Sequence, residues 1–271
     1  MTRIRLIPAL VGAAVLAACS KDGVQSIAAP TTGAYIKFYN FGVNAPGVNF
    51  YANDTKVTAI SSTNCTPTPV PPNPACSSTG AESANGTVYG KVGNAGLYSS
   101  IAAAQYSFSG RISAATDNGL SVAKISSTLG DGKYYSLYLS GFYDATAKTV
   151  DGFIIEDVFP TQLDFTKSNV RFVNASPNSS PLTLYAKSTV TGDSIVIGSS
   201  IAYKSGSAFV GVPGAVYNLT GRYAGSNTAV FSLGNVSLSA LRVYTISAGG
   251  DATVTSTTAV TRPFLDVTPN R

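Results

Sequence analysis

The sequence predicts an all-β protein built from two tandem, immunoglobulin-like antiparallel β-sandwich domains. Composition is the first observation, because charged residues make up only 11% of the 271 residues while Thr, Val, Tyr and Gly are abundant. The second is an alternation of apolar and polar residues over short runs, which is the period of a half-buried strand. The third is an internal repeat, in which one phrase of the sequence occurs twice.

The repeat appears when residues 36–52 are aligned with residues 170–186 at an offset of 134. Both copies carry an apolar run, an Asn, a proline-bearing loop and a second run that ends in Tyr-Ala. In the first run, Ile36 and Phe38 share one face and Lys37 takes the other. We therefore expect half-buried strands whose apolar faces pack against a second sheet.

Two shorter matches follow at smaller offsets. YSFSGR (106–111) matches YNLTGR (217–222) at an offset of 111, and YYSLYLSG (134–141) matches VYTISAGG (243–250) at 109. The drop from 134 to 111 places 23 additional residues in the first copy, within SSTNCTPTPVPPNPACSSTGAES (61–83). Its five prolines lack backbone donors, so the sequence predicts an irregular surface loop there.

These patterns divide the chain into four segments. They are a signal peptide at 1–18, a flexible tether at 19–33, a first sandwich at 34–165 with a Cys- and Pro-rich loop at 56–93, and a second sandwich at 168–271. The tether is expected to be flexible because it lacks an apolar period and is rich in Gly, Pro, Ser and Thr. Each sandwich is expected to contain about seven short strands joined by turns.

The N-terminal sequence MTRIRLIPALVGAAVLAACS has the features of a bacterial export signal. Arg3 and Arg5 precede an uncharged, mostly apolar run of 13 residues at 6–18. A run of that length fits a signal-peptide core and is shorter than the roughly 20 residues of a membrane-spanning helix. The run ends Leu-Ala-Ala-Cys at Cys19, which resembles the lipobox of bacterial lipoproteins.

This resemblance implies cleavage before Cys19, a diacylglycerol on its sulfur and an acyl group on the new amino terminus. Several acyl chains anchor a protein stably, whereas a single chain binds only marginally. Ser20 stands where an Asp would resemble the inner-membrane retention signal of enteric bacteria. We therefore expect a cell-envelope protein anchored in the outer membrane, facing the periplasm or the surface. The alternative is an ordinary secreted protein with a chance Cys.

The second copy of the repeat, VRFVNASPNSSPLTLYAK (170–187), resembles the opening of the DUF4397 domain of bacterial surface and secreted proteins. VPGAVYNL (212–219) resembles a later step of the same domain. The first copy departs from the pattern, since FGV (41–43) stands where Ala-Ser-Pro is expected. The resemblance covers most of residues 34–271 and implies tandem sandwiches in an envelope protein. It implies no reaction, because the family is defined without a function.

Cys65 and Cys76 lie in the inserted loop with ten residues between them. Export delivers them to an oxidising compartment, where two cysteines without metal partners usually pair. We therefore expect a disulfide between them. A zinc site would need more ligands, and the chain contains no His. The sequence predicts neither a metal site nor a cofactor.

The chain offers few groups for catalysis, because the absence of His removes the commonest general base. Carboxylates remain: Glu156 and Asp157 are adjacent in FIIEDVFP, and Asp151 and Asp164 are near in sequence. Adjacent strand residues face opposite sides of a sheet, so we assign this acidic step to the boundary between the domains. A carboxylate-dependent hydrolase and a calcium site remain as alternatives.

Binding is the function that the remaining residues favour. Tyr51 and Tyr185 lie opposite the predicted core face, where they could pack across strands or form a carbohydrate-binding platform. The net charge of +5 falls to +3 without Arg3 and Arg5, and the basic residues are scattered, so no nucleic-acid partner is expected.

The sequence thus predicts a non-catalytic envelope lipoprotein, anchored to the membrane through its N-terminal lipid. It would act as an interaction, adhesion or structural module for a protein or glycan ligand. A carbohydrate-binding surface lipoprotein is the alternative.

Overall fold

The computed structural model describes residues 32–58, 85–162 and 164–270, together with the backbone of two strands at 63–66 and 75–78. Strands dominate these residues and form two sandwiches that follow one another in the chain, so the all-β sandwich prediction is confirmed. Across this part of the chain, no helix has the length and apolar character needed to cross a bilayer. The predicted signal peptide and Cys19 lie outside the described residues.

We call the first sandwich repeat 1 and the second repeat 2. The strands of repeat 1 are Ala34–Asn40 (β1), Val48–Ala52 (β2), Thr55–Lys56 (β3), Thr63–Thr66 (β4), Ala75–Ser78 (β5), Lys91–Val92 (β6), Ser99–Ile101 (β7), Gln105–Ile112 (β8), Ser121–Thr128 (β9), Tyr134–Leu139 (β10) and Gly152–Glu156 (β11). The strands of repeat 2 are Lys167–Asn174 (β12), Leu182–Ser188 (β13), Ser194–Ile201 (β14), Ser205–Gly206 (β15), Val210–Pro213 (β16), Ala215–Tyr223 (β17), Ala229–Leu238 (β18), Val243–Gly249 (β19) and Phe264–Pro269 (β20).

Each repeat has an inner and an outer sheet with the same strand order. The inner sheets run β11-β10-β1-β6, with β7 beside β1, and β20-β19-β12-β15, with β16 beside β12. The outer sheets run β3-β2-β8-β9 and β14-β13-β17-β18. Pairing is antiparallel as predicted, except that β1 and β10 pair in parallel, as do β12 and β19. The number of strands per repeat exceeds the seven or so expected, because short strands lie beside β1 and β12 in the inner sheets and repeat 1 also contains the β4–β5 pair.

The core of each repeat lies between its two sheets. In repeat 1 the ring of Phe38 stacks on Phe50 with centroids 4.9 Å apart and makes an edge contact with Phe108 at 6.3 Å. In repeat 2 the buried Phe172 and Phe231 take part in the corresponding cluster. Ile36 and Phe38, which the alternation places on one apolar face, both belong to the core of repeat 1, so the period-two pattern correctly identifies the packed face.

The inner strands are buried on both faces, and the expectation of half-buried strands is wrong for them. Lys37 lies opposite the core residues Ile36 and Phe38, as predicted, yet its exposed fraction is 0%. Arg171, the matching residue of β12, is 2% exposed. The physical reason is that the second face of each inner sheet packs against the other repeat, where Tyr39, Tyr138 and Val173 share one buried cluster.

The inserted loop contains a short hairpin, so the prediction of a wholly irregular loop is also wrong. β4 and β5 pair antiparallel, with Cys65 directly opposite Cys76 in the register. All five prolines lie between the two strands in the sequence, at 67–74, so neither strand contains a residue that lacks a backbone donor. The flanking residues are Thr, Asn, Cys, Ala and Ser, which can pair.

Candidate functional site

The contact surface between the two inner sheets is the most elaborate polar and aromatic arrangement in the described residues, and we call it the inter-repeat interface. Its aromatic half lies where β1 and β10 end. The ring of Tyr138 stacks between Tyr39, with centroids 4.2 Å apart, and Phe153, at 5.0 Å. Tyr138 Oη lies 2.9 Å from Ser247 Oγ of repeat 2. Burial raises the pKa of Tyr39 and of Tyr138 above the usual value for a tyrosine.

The polar half lies where β1 and β12 begin, and it is centred on an ion pair between repeats. The guanidinium of Arg171, in β12, pairs with Asp157, which directly follows β11. Asp157 also accepts a hydrogen bond from Ser136 Oγ at 2.8 Å and from Tyr98 Oη at 2.5 Å. Arg171 Nε donates to Thr245 Oγ1 at 3.0 Å. Both charges are buried, so these hydrogen bonds supply part of the solvation that water would give.

Lys37 makes the second contact of the polar half. Its Nζ donates to the backbone oxygen of Pro269 at 2.9 Å and to Asn270 Oδ1 at 3.0 Å, and it lies 4.3 Å from the ring centroid of Tyr98. Burial lowers the pKa of this ammonium to about 8, although the nearby Asp157 acts in the opposite direction. Lys37 is therefore a buried cation that binds neutral oxygens.

The two contacts are reciprocal. Each cation lies over an aromatic ring of its own repeat and reaches the residue that follows the last inner strand of the other repeat. The equivalent pairs are Lys37 and Arg171, Tyr98 and Phe209, and Asp157 and Asn270. The interface therefore has approximate two-fold symmetry in position, although the chemistry of its two contacts differs.

The structure does not bring the predicted carboxylates together. Glu156 is exposed and pairs with Lys133 at 3.1 Å, whereas Asp157 is buried in the interface, in agreement with the predicted boundary role. Asp151 pairs with Lys204, and Asp164 pairs with Lys167. Hydrogen bonds from Thr166 lower the pKa of Asp164 to about 2. Among the described residues, no three His, Cys, Asp or Glu side chains are grouped so that they could hold a metal ion.

The two tyrosines proposed as a glycan platform are half-buried beneath arginines. The guanidinium carbon of Arg111 lies 4.2 Å from the ring centroid of Tyr51, and that of Arg222 lies 5.0 Å from the ring of Tyr185. Both arginines end the repeated segments YSFSGR and YNLTGR. The repeat gives a partial signal for these contacts, because Tyr51 matches Tyr185 and Arg111 matches Arg222. The contact of each arginine with its tyrosine can be inferred only once the sheet register is known.

The described geometry defines a class: an all-β protein in which two sandwiches of the same topology are joined by a buried polar and aromatic interface. The family model for the domain of unknown function DUF4397 matches residues 34–185, and the chain belongs to this family. The matched range covers repeat 1 and continues into β13 of repeat 2. No curated protein matches the chain significantly.

Proposed function

We propose that this protein is a lipid-anchored component of a bacterial cell envelope whose double sandwich acts as a non-catalytic interaction module. The observation that carries the proposal is the N-terminal sequence, in which a charged pair and a 13-residue apolar run lead to Leu-Ala-Ala-Cys at Cys19. Acylation there would hold the double sandwich close to the membrane, since the 14 residues from Cys19 to Thr32 span at most about 50 Å.

Exposed apolar side chains support this arrangement, because they lie at the end of the double sandwich where β1 begins. β1 begins at that end, and so does β12, which is preceded by Phe165, 76% exposed. Val158, which follows β11, is 71% exposed, and Leu241, whose backbone N–H donates to Lys167, is 49% exposed. Large exposed apolar side chains favour contact with another surface over contact with water. We propose that the anchoring bilayer is that surface.

The arrangement of the acidic groups supports a binding role over a catalytic one. The candidate carboxylates occupy separate ion pairs, whereas glycoside hydrolysis needs two that converge across one substrate. The strand order is the same in both repeats, which supports our proposal that the chain carries two tandem copies of the DUF4397 domain.

We also propose that Cys65 and Cys76 form a disulfide in the exported protein. Directly opposed residues of an antiparallel pair have Cα atoms about 4.5–5.5 Å apart, which is within the range that a disulfide spans. A thiol reagent should then label the protein only after reduction, and labelling of the intact protein at both cysteines would contradict the pairing.

Membrane fractionation of a Cys19→Ser variant tests the anchoring. We expect the wild type to fractionate with the membrane and to incorporate labelled fatty acid, and the variant to lose both properties. The matched control is a Cys65→Ser/Cys76→Ser double variant, which keeps Cys19 and should remain anchored. Unchanged membrane association of the Cys19→Ser variant would overturn the proposal.

A tryptophan reporter tests which end of the body faces the bilayer, because the natural chain contains no Trp. In acylated protein bound to vesicles of brominated lipids, Phe165→Trp should be quenched strongly. Phe142→Trp is the matched control, since Phe142 is also exposed but follows β10 at the opposite end. Equal quenching of the two reporters would contradict the proposed orientation.

A further inference from the structure

The outer sheets of the two repeats end in equivalent edge strands, β9 in repeat 1 and β18 in repeat 2. The equivalence follows from the register. Ser121 of β9 pairs with Arg111, and Ala229 of β18 pairs with Arg222, and both arginines end the repeated Gly-Arg segment. Val122 and Val230, the next residues along each edge, therefore occupy matching positions.

In repeat 1 the connection between β10 and β11 covers this edge. The backbone N–H of Val150 donates to the carbonyl oxygen of Val122 at 2.8 Å, and both valines are buried. Val150 lies two residues before Gly152, which pairs with Leu139 of β10. This bond uses a backbone acceptor that an edge strand would otherwise present to a partner.

Repeat 2 cannot form the equivalent bond. Leu265 of β20 pairs with Ala248 as Gly152 pairs with Leu139, so the residue two positions earlier, Pro263, corresponds to Val150. Proline has no backbone N–H and cannot donate to the carbonyl of Val230. A cleft of about 500 Å³ lies between β18 and the connection from β19 to β20. Its lining includes Ala229, Val230, Ser232, Ala252, Arg262 and Pro263.

A second difference removes a positive charge from the same edge. Lys124 is exposed on β9, and a lysine at a sheet edge opposes the addition of a further strand. The matching residue of β18 is Ser232, since Lys124 pairs with Ser109 and Ser232 pairs with the equivalent Thr220. β18 is ten residues long and contains neither a charged residue nor a proline. Both devices that protect β9 are thus missing from the strand that borders the cleft.

The lining of the cleft indicates the chemistry of its occupant. Small apolar and hydroxyl side chains surround the edge, which suits an extended backbone with short side chains. Arg262 supplies a positive charge at the rim, which favours a carboxylate. The cleft volume falls within the roughly 300–1,000 Å³ typical of ligand sites. The connection from β19 to β20 lines the side of the cleft opposite β18. The cleft therefore admits a single strand more readily than the edge of another folded sheet.

We propose that the cleft beside β18 binds an extended peptide segment that bears a carboxylate and adds to the outer sheet of repeat 2 as a further strand. The carbonyl of Val230, which matches the Val122 carbonyl that Val150 binds in repeat 1, accepts from the backbone of the peptide, and Arg262 binds its carboxylate. This inference gives the proposed interaction role a ligand class. It depends only on the sheet edge, so unchanged membrane association of the Cys19→Ser variant, which would overturn the proposed anchoring, would leave it intact.

Selection from a phage-displayed random peptide library on the immobilised full chain provides the probe, and binding of a selected synthetic peptide is then measured by calorimetry. We expect enriched peptides to contain an Asp or Glu. Pro263→Val and Ser232→Lys, which place the repeat 1 residues in repeat 2, should each weaken binding at least about tenfold. Arg262→Gln should weaken binding of the acidic peptide but not of its amide analogue.

Two controls separate the site from general damage. Lys124→Ser, the reverse exchange in repeat 1, should leave the peptide affinity unchanged, and each variant should keep a thermal midpoint near that of the wild type. Hydrogen exchange with bound peptide should slow along β18 and not along β9. The proposal is overturned if no peptide is enriched, if Pro263→Val binds the selected peptide as tightly as the wild type, or if protection appears on β9.

Discussion

The two repeats share a strand order, but repeat 1 contributes large aromatic side chains to the interface between them and repeat 2 contributes small side chains. Repeat 1 presents Tyr39, Phe41 and Tyr138, whereas the equivalent residues of repeat 2 are Val173, Ala175 and Ser247. Large side chains of one repeat thus pack against small ones of the other, and Tyr138 finds its hydrogen-bond partner at its own equivalent position, Ser247. Duplicated sandwiches can therefore pair specifically when one copy contributes large side chains and the other contributes small ones at the equivalent positions.

The two contacts in the polar half of the interface differ in the charge of the group that each cation reaches. Arg171 reaches a carboxylate, Asp157, whereas Lys37 reaches the neutral amide of Asn270 at the equivalent position. A buried cation with a carboxylate partner keeps its charge, while one bound to neutral oxygens loses its proton more easily. The two contacts should therefore respond differently to mutation and to pH.

Removal of the charged partner should give the largest effect. Arg171→Met leaves Asp157 buried and unpaired, so we expect the free energy of unfolding to fall by about 3–5 kcal/mol in urea titrations. The matched control is Lys133→Met, which breaks the exposed pair with Glu156 and should cost no more than about 1 kcal/mol. Equal costs for the two variants would show that the buried pair does not join the repeats.

Loss of the shape difference should come next. Ala175→Phe gives repeat 2 the side chain that repeat 1 carries at the matching position, Phe41, and overfills the interface. Overpacking of this kind costs about 1–3 kcal/mol, measured as a lower urea midpoint. Val260→Phe adds a comparable ring at an exposed site and should change stability little. If Ala175→Phe is tolerated equally well, the interface is not closely packed at this point.

The pH dependence tests Lys37, whose pKa is lowered to about 8 in the fold from 10.5. The unfolded chain binds the proton more tightly, so the free energy of unfolding should rise with pH, by about 1 kcal/mol between about pH 7.5 and 9. The rise should disappear in Lys37→Met. The charged groups near Lys37 are Asp157, Arg171 and Asp266, and they remain in that variant. A rise of the same size in the variant would contradict the assignment.

Above about pH 10 the sign should reverse. Burial raises the pKa of Tyr39, Tyr98 and Tyr138, so these phenols keep their protons in the fold while the unfolded chain loses them. Stability is then lost as the pH rises further, because the folded state binds more protons. Above about pH 10.5 the stability curves of wild type and Lys37→Met should run parallel, because Lys37 is then neutral in both the folded and the unfolded state. A stability that continues to climb would contradict the burial of the phenols.

The smallest effect is expected on the outer sheets, where an arginine lies over a tyrosine in each repeat. Arg111→Ala and Arg222→Ala each remove a cation from the face of a half-buried tyrosine, and we expect each to lower stability by about 0.5–1 kcal/mol. Arg242→Ala is the control, because Arg242 takes part in neither stack. Effects larger than that of Arg171→Met would reverse the order that separates inner from outer sheets.

The sequence contains enough information for the strands and the core but not for the interface. Alternation identifies Ile36, Phe38 and Phe172 as core residues because one face of a strand is apolar throughout. The second buried face carries Lys37 and Arg171, and such residues usually face water. Only contact with the other repeat buries them, and a period-two pattern carries no information about a partner sheet.

The contacts between strands and between repeats could not be predicted from the sequence either. Asp157 could be assigned to a domain boundary from its position, but its pairing with Arg171 depends on how the inner sheets face each other. The edge difference between Val150 and Pro263 is visible in the sequence only after the register of β10–β11 and β19–β20 is known. Local preference predicts elements well, whereas long-range pairing decides what the remaining residues contact.

The central claim is that the inter-repeat interface makes the two sandwiches one cooperative unit. Tyr51→Trp and Tyr185→Trp place a single tryptophan at equivalent, half-buried positions on the two outer sheets of a chain that otherwise has none. Urea unfolding followed by fluorescence of each variant should give the same midpoint and slope, because both repeats unfold together. Two separate transitions, one for each reporter, would contradict the claim.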